Sequence, residues 1–264
     1  MKLVGFTKNK NGTYKEYLPY NEQLSSDAHK RAIFFNMFNM YMDKALRFSK
    51  QEIALNTNLE QTFRHKIASL IDISCIKTYK PVKSINLDMA STILIHAYFL
   101  DKTIVFPLSK KPKMLVGKFI SLIYRPTEIT LLLDLEDMFL HLVYERIKKV
   151  NRFADVHLYD KSIVIKDKRE HVSDSLIIPS YRKIETKHLH FDEDFIMQMN
   201  TVEKTIIKGE ISQVFLVYPK HPNFKKHINI KLPYQTKFTE DEYKVKVMPY
   251  SFSFCAIKAR HSTK

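Results

Sequence analysis

Glycine is nearly missing from this chain. Only Gly5, Gly12, Gly117 and Gly209 occur in 264 residues, against an average usage of about 7%. A Walker A loop needs two glycines at fixed spacing so that backbone amides can reach phosphate, and no pair here has that spacing. The dinucleotide-binding fingerprint, the G-x-S-x-G elbow and the kinase glycine-rich loop are missing for the same reason. The common nucleotide-driven enzymes are therefore disfavoured. Two cysteines, Cys75 and Cys255, are too far apart for a C-x-x-C knuckle and too few for a disulfide framework. Reduced thiols in a cytoplasmic setting fit that usage. The longest apolar runs, Ile93 to Leu100 and Ile129 to Leu135, fall well below the ~20 residues of a membrane helix. The opening run Leu3-Val4-Gly5-Phe6 is too short for a secretory signal. A soluble protein with no integral membrane segment is expected.

What the chain has in excess is positive charge. It carries 43 Lys and Arg against 28 Asp and Glu, a formal +15. Residues 1–149 hold 23 basic and 14 acidic side chains, residues 150–207 hold 9 and 10, and residues 208–264 hold 11 and 4. With 45% hydrophobic residues, a folded surface carries this charge rather than a disordered tail. Such a surplus points to polyanionic partners: nucleic acid, an anionic membrane surface or an acidic protein.

The patterning divides the chain. Leu3–Phe6 and Thr13–Leu18 flank Asn11-Gly12, a strong hairpin signal. Apolar residues then recur at three and four from Asp27 to Phe48, again over Leu59–Ile71, over Ser84–Leu100 with a cap near Asn86 or Asp88, and over Asp134–Lys149, which predicts helices. Met114–Tyr124 reads as a strand. From Asp155 onward, short alternating runs punctuated by prolines predict strands, Lys183–His190 among them. The expected fold is α+β: a mainly helical region over residues 1–150, opened by the hairpin, then a β-rich region over 151–264.

Two segments suggest chemistry. Ser49–Ile71 resembles a helix-turn-helix, with Asn56-Thr57-Asn58 as the turn and Leu59, Phe63, Ile67 and Leu70 facing inward. Its inner positions fall one residue early, which shortens the turn. Glu60, Gln61, Arg64, His65 and Lys66 would face a groove or backbone. On a winged-helix reading Ser74–Pro81 is a wing strand, and Lys77, Lys80, Lys110, Lys111 and Lys113 are phosphate contacts. Two ordinary packed helices with a solvated basic face would give the same pattern. The second segment is Asp174 with Glu185-x-Lys187, which fits the PD-(D/E)xK nuclease spacing. Two carboxylates would hold Mg²⁺ while the lysine positions water, and cross-strand surface pairing explains the residues equally well.

Two weaker patterns remain. His188-x-His190 lacks a second ligand cluster, so each histidine, His221 and His227 included, is expected to be satisfied or exposed. At the C-terminus Tyr250, Phe252 and Phe254 alternate as a core-facing strand should, leaving Lys244, Lys246, Lys258 and Arg260 on an outer face. The expected function is non-catalytic nucleic-acid binding, DNA favoured over RNA, in an accessory role in replication or transcription. No cofactor is expected. The alternatives are the Mg²⁺-dependent nuclease, and a scaffold for an acidic protein or membrane surface; a protein partner or homo-oligomer fits any of the three.

Overall fold

A computed structural model describes residues 2–20, 26–54, 57–71, 88–100, 111–125, 127–152, 154–167, 174–185, 193, 195, 197–199, 211, 213–231 and 244–252. The fold is α+β, as the patterning implies. It forms two compact units, Met1–Tyr20 with Ser26–Asp134, and Asn21–Ser25 with Leu135–Lys264. The division lies some fifteen residues before the change of texture near residue 150, because the helix Leu135–Val150 packs on strands of the second unit.

In the first unit, β1 (Leu3–Asn9) is the middle strand of an antiparallel sheet between β2 (Tyr14–Tyr17) and β3 (Glu128–Asp134). The expected hairpin joins β1 to β2. Gly12 donates its N–H to the Asn9 carbonyl at 3.0 Å in a left-handed conformation, φ +84°, the geometry of a turn closed by an αL residue. The helices of this unit are α1 (Asp27–Tyr41), α2 (Lys50–Ala54), α3 (Leu59–Ser69), α4 (Met89–Leu100) and α5 (Leu115–Ile123), of which α3 packs on β1 and α5 on β3. α1 stops at Tyr41, and a 3₁₀ turn over Lys44–Leu46 carries the chain on to Phe48. The core is phenylalanine-rich: Phe6, Phe34, Phe35, Phe38, Phe63 and Phe119 are fully buried.

The strand expected over Met114–Tyr124 is instead α5. Val116, Phe119, Ile120 and Ile123 are all buried, a helical period in a run too short for alternation to be told from it. Gly117 makes room for the close approach of Ser91, whose Oγ would lie 2.3 Å from a Cβ at 117.

Asp88 joins α4 to α5. Its Oδ1 accepts the Ser91 N–H at 3.0 Å, capping α4, while Oδ2 accepts the Ser91 hydroxyl at 2.6 Å and the N–H groups of Lys113 and Met114 at 3.1 and 3.0 Å. Burial pushes this carboxyl up, but the hydrogen bonds from Ser91, Met114 and Lys113 outweigh it and hold the pKa at about 2. Asp88→Ala leaves four donors without their acceptor and is expected to cost about 2 kcal/mol. Because the folded pKa lies below the ~3.9 of an unfolded aspartate, the stabilisation is complete above ~pH 4 and is lost as pH falls toward 2. Urea unfolding across that window should show the difference between wild type and variant narrowing.

The second unit is a six-stranded sheet in the order β4-β5-β6-β7-β9-β8. The strands are β4 (Ala154–Tyr159), β5 (Ser162–Asp167), β6 (Ser175–Pro179), β7 (Gln213–Pro219), β8 (Ile228–Lys231) and β9 (Lys244–Tyr250). β4, β5 and β6 run antiparallel, β6, β7 and β9 run parallel, and β8 closes the far edge antiparallel. Val214, Leu216 and Tyr218 of β7 alternate into one cluster with Leu176, Phe195, Val245 and Val247. Ile177 and Val217 are buried too, on the opposite face by alternation, as parallel strands covered on both sides require. α6 (Leu135–Val150) packs on β4 and β6 with Met138, Phe139, Leu142, Val143 and Ile147 buried. Its Arg146 donates to the carbonyls of Ser251 and Phe252 at 3.2 and 3.0 Å and stands over the Tyr250 ring. No helix among the described residues is long and apolar enough to cross a membrane.

Candidate nucleic-acid interface

α3 is built as its sequence implies. Asn58 caps it, accepting the Gln61 N–H at 2.8 Å, and Leu59, Phe63 and Ile67 are fully buried. Glu16 of β2 fixes its entry by accepting the Leu59 N–H at 2.6 Å and the Tyr14 hydroxyl at 2.6 Å, while pairing with Arg31 of α1 at 2.8 Å. Burial, and then the Glu16 carboxylate, push the Tyr14 phenol well above its ordinary range, so Tyr14 stays a donor.

The outer face of α3 divides. Gln61, Arg64 and His65 are exposed. Lys66 is paired with Glu52 of α2 at 2.8 Å and lies over the Phe48 ring, so its charge is neutralised locally. Glu60, expected to face a groove, is buried at 4% exposure and takes the Lys8 ammonium at 3.3 Å and the Arg64 guanidinium at 3.8 Å. A carboxylate flanked by two cations is stable under burial where a lone one is not. Lys111 and Lys113 are exposed on the segment leading into α5. Lys77, Lys80, Lys110 and the wing expected over Ser74–Pro81 lie outside the described residues.

The fold adds a feature that the α3 sequence does not contain. The hairpin end, α3, the last turn of α4 and the Tyr124–Ile129 turn surround a cleft of about 240 Å³. Lys8, Lys10, Arg64 and Arg125 line it with one carboxylate, Glu128, and with Tyr98 and Tyr124. Arg125 is exposed and anchors one end of its guanidinium on the Ser121 and Tyr124 carbonyls at 3.0 and 2.9 Å. Arg64 stands over the Tyr98 ring at 5.8 Å. Lys8, Lys10 and Arg125 were not among the sequence candidates. The Lys8-Asn9-Lys10 spacing beside a turn was the available signal; Arg125 had none.

The nuclease constellation is not drawn together by the sheet. Asp174 directly precedes β6, whereas Glu185 follows its far end. Ile184, next to Glu185, accepts from Nε2–H of His221 beyond the C-terminal end of β7 at 2.9 Å. β6 lies between them in the chain, and its five residues at ~3.3 Å each span roughly 16 Å. Lys183–Glu185 are not in a strand, a correction to the alternation read there. Tyr181 and Ile184 of this segment are buried, and the Tyr181 N–H is taken by Glu136 at 2.7 Å, so it leaves the sheet to pack. Lys187, His188 and His190 lie outside the described residues. The central strands, SLIIP and QVFLVYP, contain no carboxylate and no lysine. Among the described residues no three His, Cys, Asp or Glu side chains gather as a metal would need. Tyr250 is buried as expected, Lys246 stands over Phe215, and Phe254, Lys258 and Arg260 lie outside the described residues.

No protein-family model matches the chain, and no curated protein matches its sequence. Among solved structures, the chain is similar in fold to a chain of an assembly of Thermococcus gammatolerans McrB AAA+ hexamers with bound McrC. The TM-score is 0.56 at 12% identity, over 94% of this chain and 78% of that one.

Proposed function

We propose that this chain is a non-catalytic nucleic-acid-binding protein that holds phosphate through its first unit, with DNA favoured over RNA. The observation that carries the reading is the convergence of Lys8, Lys10, Arg64 and Arg125 on one cleft. They come from separate segments and lie beside the exposed Gln61 and His65 of α3. The first unit holds 20 Lys and Arg against 10 Asp and Glu, a surplus that favours a polyanion. The non-catalytic form draws support from the separation of Asp174 and Glu185 and from the uncharged central strands. An accessory role in replication or transcription suits such a protein.

Binding is tested by fluorescence anisotropy of labelled duplex and single strand over a salt series. With four phosphate contacts, raising salt from ~50 to ~200 mM should weaken single-strand binding about 50-fold and duplex binding about 150-fold. Lys8→Gln with Lys10→Gln should flatten the single-strand slope by about 1.4 log units per decade of salt. Absence of measurable affinity for either form at ~50 mM salt overturns the reading.

The fold likeness favours a second, compatible reading, in which the chain works with a protein partner. The similar chain was solved within an assembly of AAA+ hexamers with bound McrC, and a two-unit chain covered over almost its whole length suits a component of such an assembly.

A further inference from the structure

The cleft has a charge balance and an unused donor that together select a ligand. Four cations, Lys8, Lys10, Arg64 and Arg125, meet two carboxylates, Glu128 on the wall and Glu60 beneath Lys8 and Arg64. The balance is +2. A phosphodiester carries one negative charge, whereas a phosphomonoester carries about −1.5 to −2 at neutral pH and presents three strong acceptor oxygens. Glu60 is itself buried and touches both cations, so it orients Lys8 and Arg64 rather than closing the site.

The second observation is Tyr98. It lines the cleft at 6% exposure, and its phenol oxygen is buried with no hydrogen-bond partner among the described residues. An unmet buried hydroxyl is costly, and a ligand oxygen would meet it. Burial pushes the phenol above its ordinary range, which keeps it a neutral donor. Arg64 over the same ring brings a guanidinium to the site, with planar donors suited to phosphate oxygens.

We infer that this cleft is a phosphomonoester site, which takes the terminal phosphate of a nucleic-acid strand or of a free nucleotide. For the strand end, the inference rests on the nucleic-acid reading; for the nucleotide, it stands without it. Lys8 and Lys10 supply long-range attraction, Arg64 and Arg125 supply paired donors, and the Tyr98 hydroxyl completes the set.

The experiment compares one short labelled single strand with a 5′-phosphate, a 3′-phosphate or neither, and adenosine monophosphate against adenosine. Binding is read by anisotropy for the strands and by calorimetry for the small ligands. A terminal phosphate should tighten binding about tenfold. Tyr98→Phe should remove most of that gain while leaving the affinity of the unphosphorylated strand within about twofold, whereas Arg125→Gln should remove the gain and also weaken the unphosphorylated strand, because it deletes one of the phosphate contacts. Tyr98→Phe should also melt no lower than wild type, because it deletes an unmet hydroxyl and keeps the ring. Equal binding of phosphorylated and unphosphorylated ligands overturns the inference and leaves the nucleic-acid reading standing. A phosphate preference that survives both substitutions overturns the assignment to this cleft. Binding of the monophosphate through Tyr98 and Arg125, with no affinity for any strand, supports the inference and overturns the nucleic-acid reading.

Discussion

Replacing Phe63 with alanine is expected to cost the first unit about 4 kcal/mol, within the range of about 3–5 for buried phenylalanine. Phe63 is fully buried and stands at the centre of a ring cluster. Its ring lies 4.9 Å from Phe48, 5.2 Å from Phe38, 5.6 Å from Phe6, 6.0 Å from Phe35 and 6.4 Å from Phe119. Those five rings come from the segment after the 3₁₀ turn, α1, β1, α1 again and α5. Truncation therefore opens a void bordered by four separate parts of the chain, and none of them can close it without moving an element. Most of the contacts are tilted or edge-on, the arrangements that add about 0.5–1.5 kcal/mol to area burial. Phe63→Leu keeps most of the volume and should cost less than about 2 kcal/mol. Urea unfolding with equal m-values is the measurement. A Phe63→Ala cost below about 1 kcal/mol would mean that the cluster is not packed as described. Arg64 is the next residue on the same helix, so loosened packing should also blunt phosphate binding.

The inner face of α3 was legible because its signal is local. Leu59, Phe63 and Ile67 follow one helical stripe, and Asn58 with Gln61 marks the start, so a window of a dozen residues holds the whole pattern. The hairpin was legible for the same reason. α5 was not: its apolar run is so short that periods of 2.0 and 3.6 both fit, and what decides is Ser91 of α4 lying against Gly117, a contact made across 26 positions of chain. Lys183–Glu185 alternate on paper, but burial of Tyr181 and Ile184 takes the backbone away from the sheet.

Charged residues were the least legible, because a sequence shows their sign and not their partner. Lys66 and Arg64 sit two positions apart and read alike. Glu52, fourteen residues upstream, takes the first, while the second faces the cleft. Glu60 read as a groove-facing acid, and Lys8 from the hairpin, 52 residues away, makes its burial tolerable. The cleft itself has no linear signature. Its cations come from β1, the hairpin turn, α3 and the turn before β3, and only the pairing of β1 with β3 brings the first and last of these together.

That pairing depends on Gly5, and Gly5→Ala is expected to cost at least about 3 kcal/mol. Gly5 lies inside the middle strand, opposite Tyr17 on one side and Leu132 on the other. Its φ of +138° falls where residues with a side chain are strained, at about 1–3 kcal/mol. A Cβ there would also lie 1.8 Å from the Leu131 carbonyl oxygen and 2.9 Å from its carbon. Those are backbone atoms of β3, so no rotamer change relieves the contact and the strand itself must shift. Glycine inside a strand marks such an approach of two backbones, and in a chain that uses glycine four times its place here meets a steric need. The effect reaches the cleft through the register: Lys8 pairs with Ile129 and Asn9 with Glu128 on the same two strands. If the variant folds, β1 and β3 should separate, Lys8 and Lys10 should move away from Arg125, and the salt slope of nucleic-acid binding should flatten along with the loss of stability. Gly12→Ala is the matched control, because a Cβ at Gly12 meets nothing within 4 Å and only the αL strain remains. A Gly5→Ala variant as stable as Gly12→Ala would show that β1 and β3 are not paired in this register.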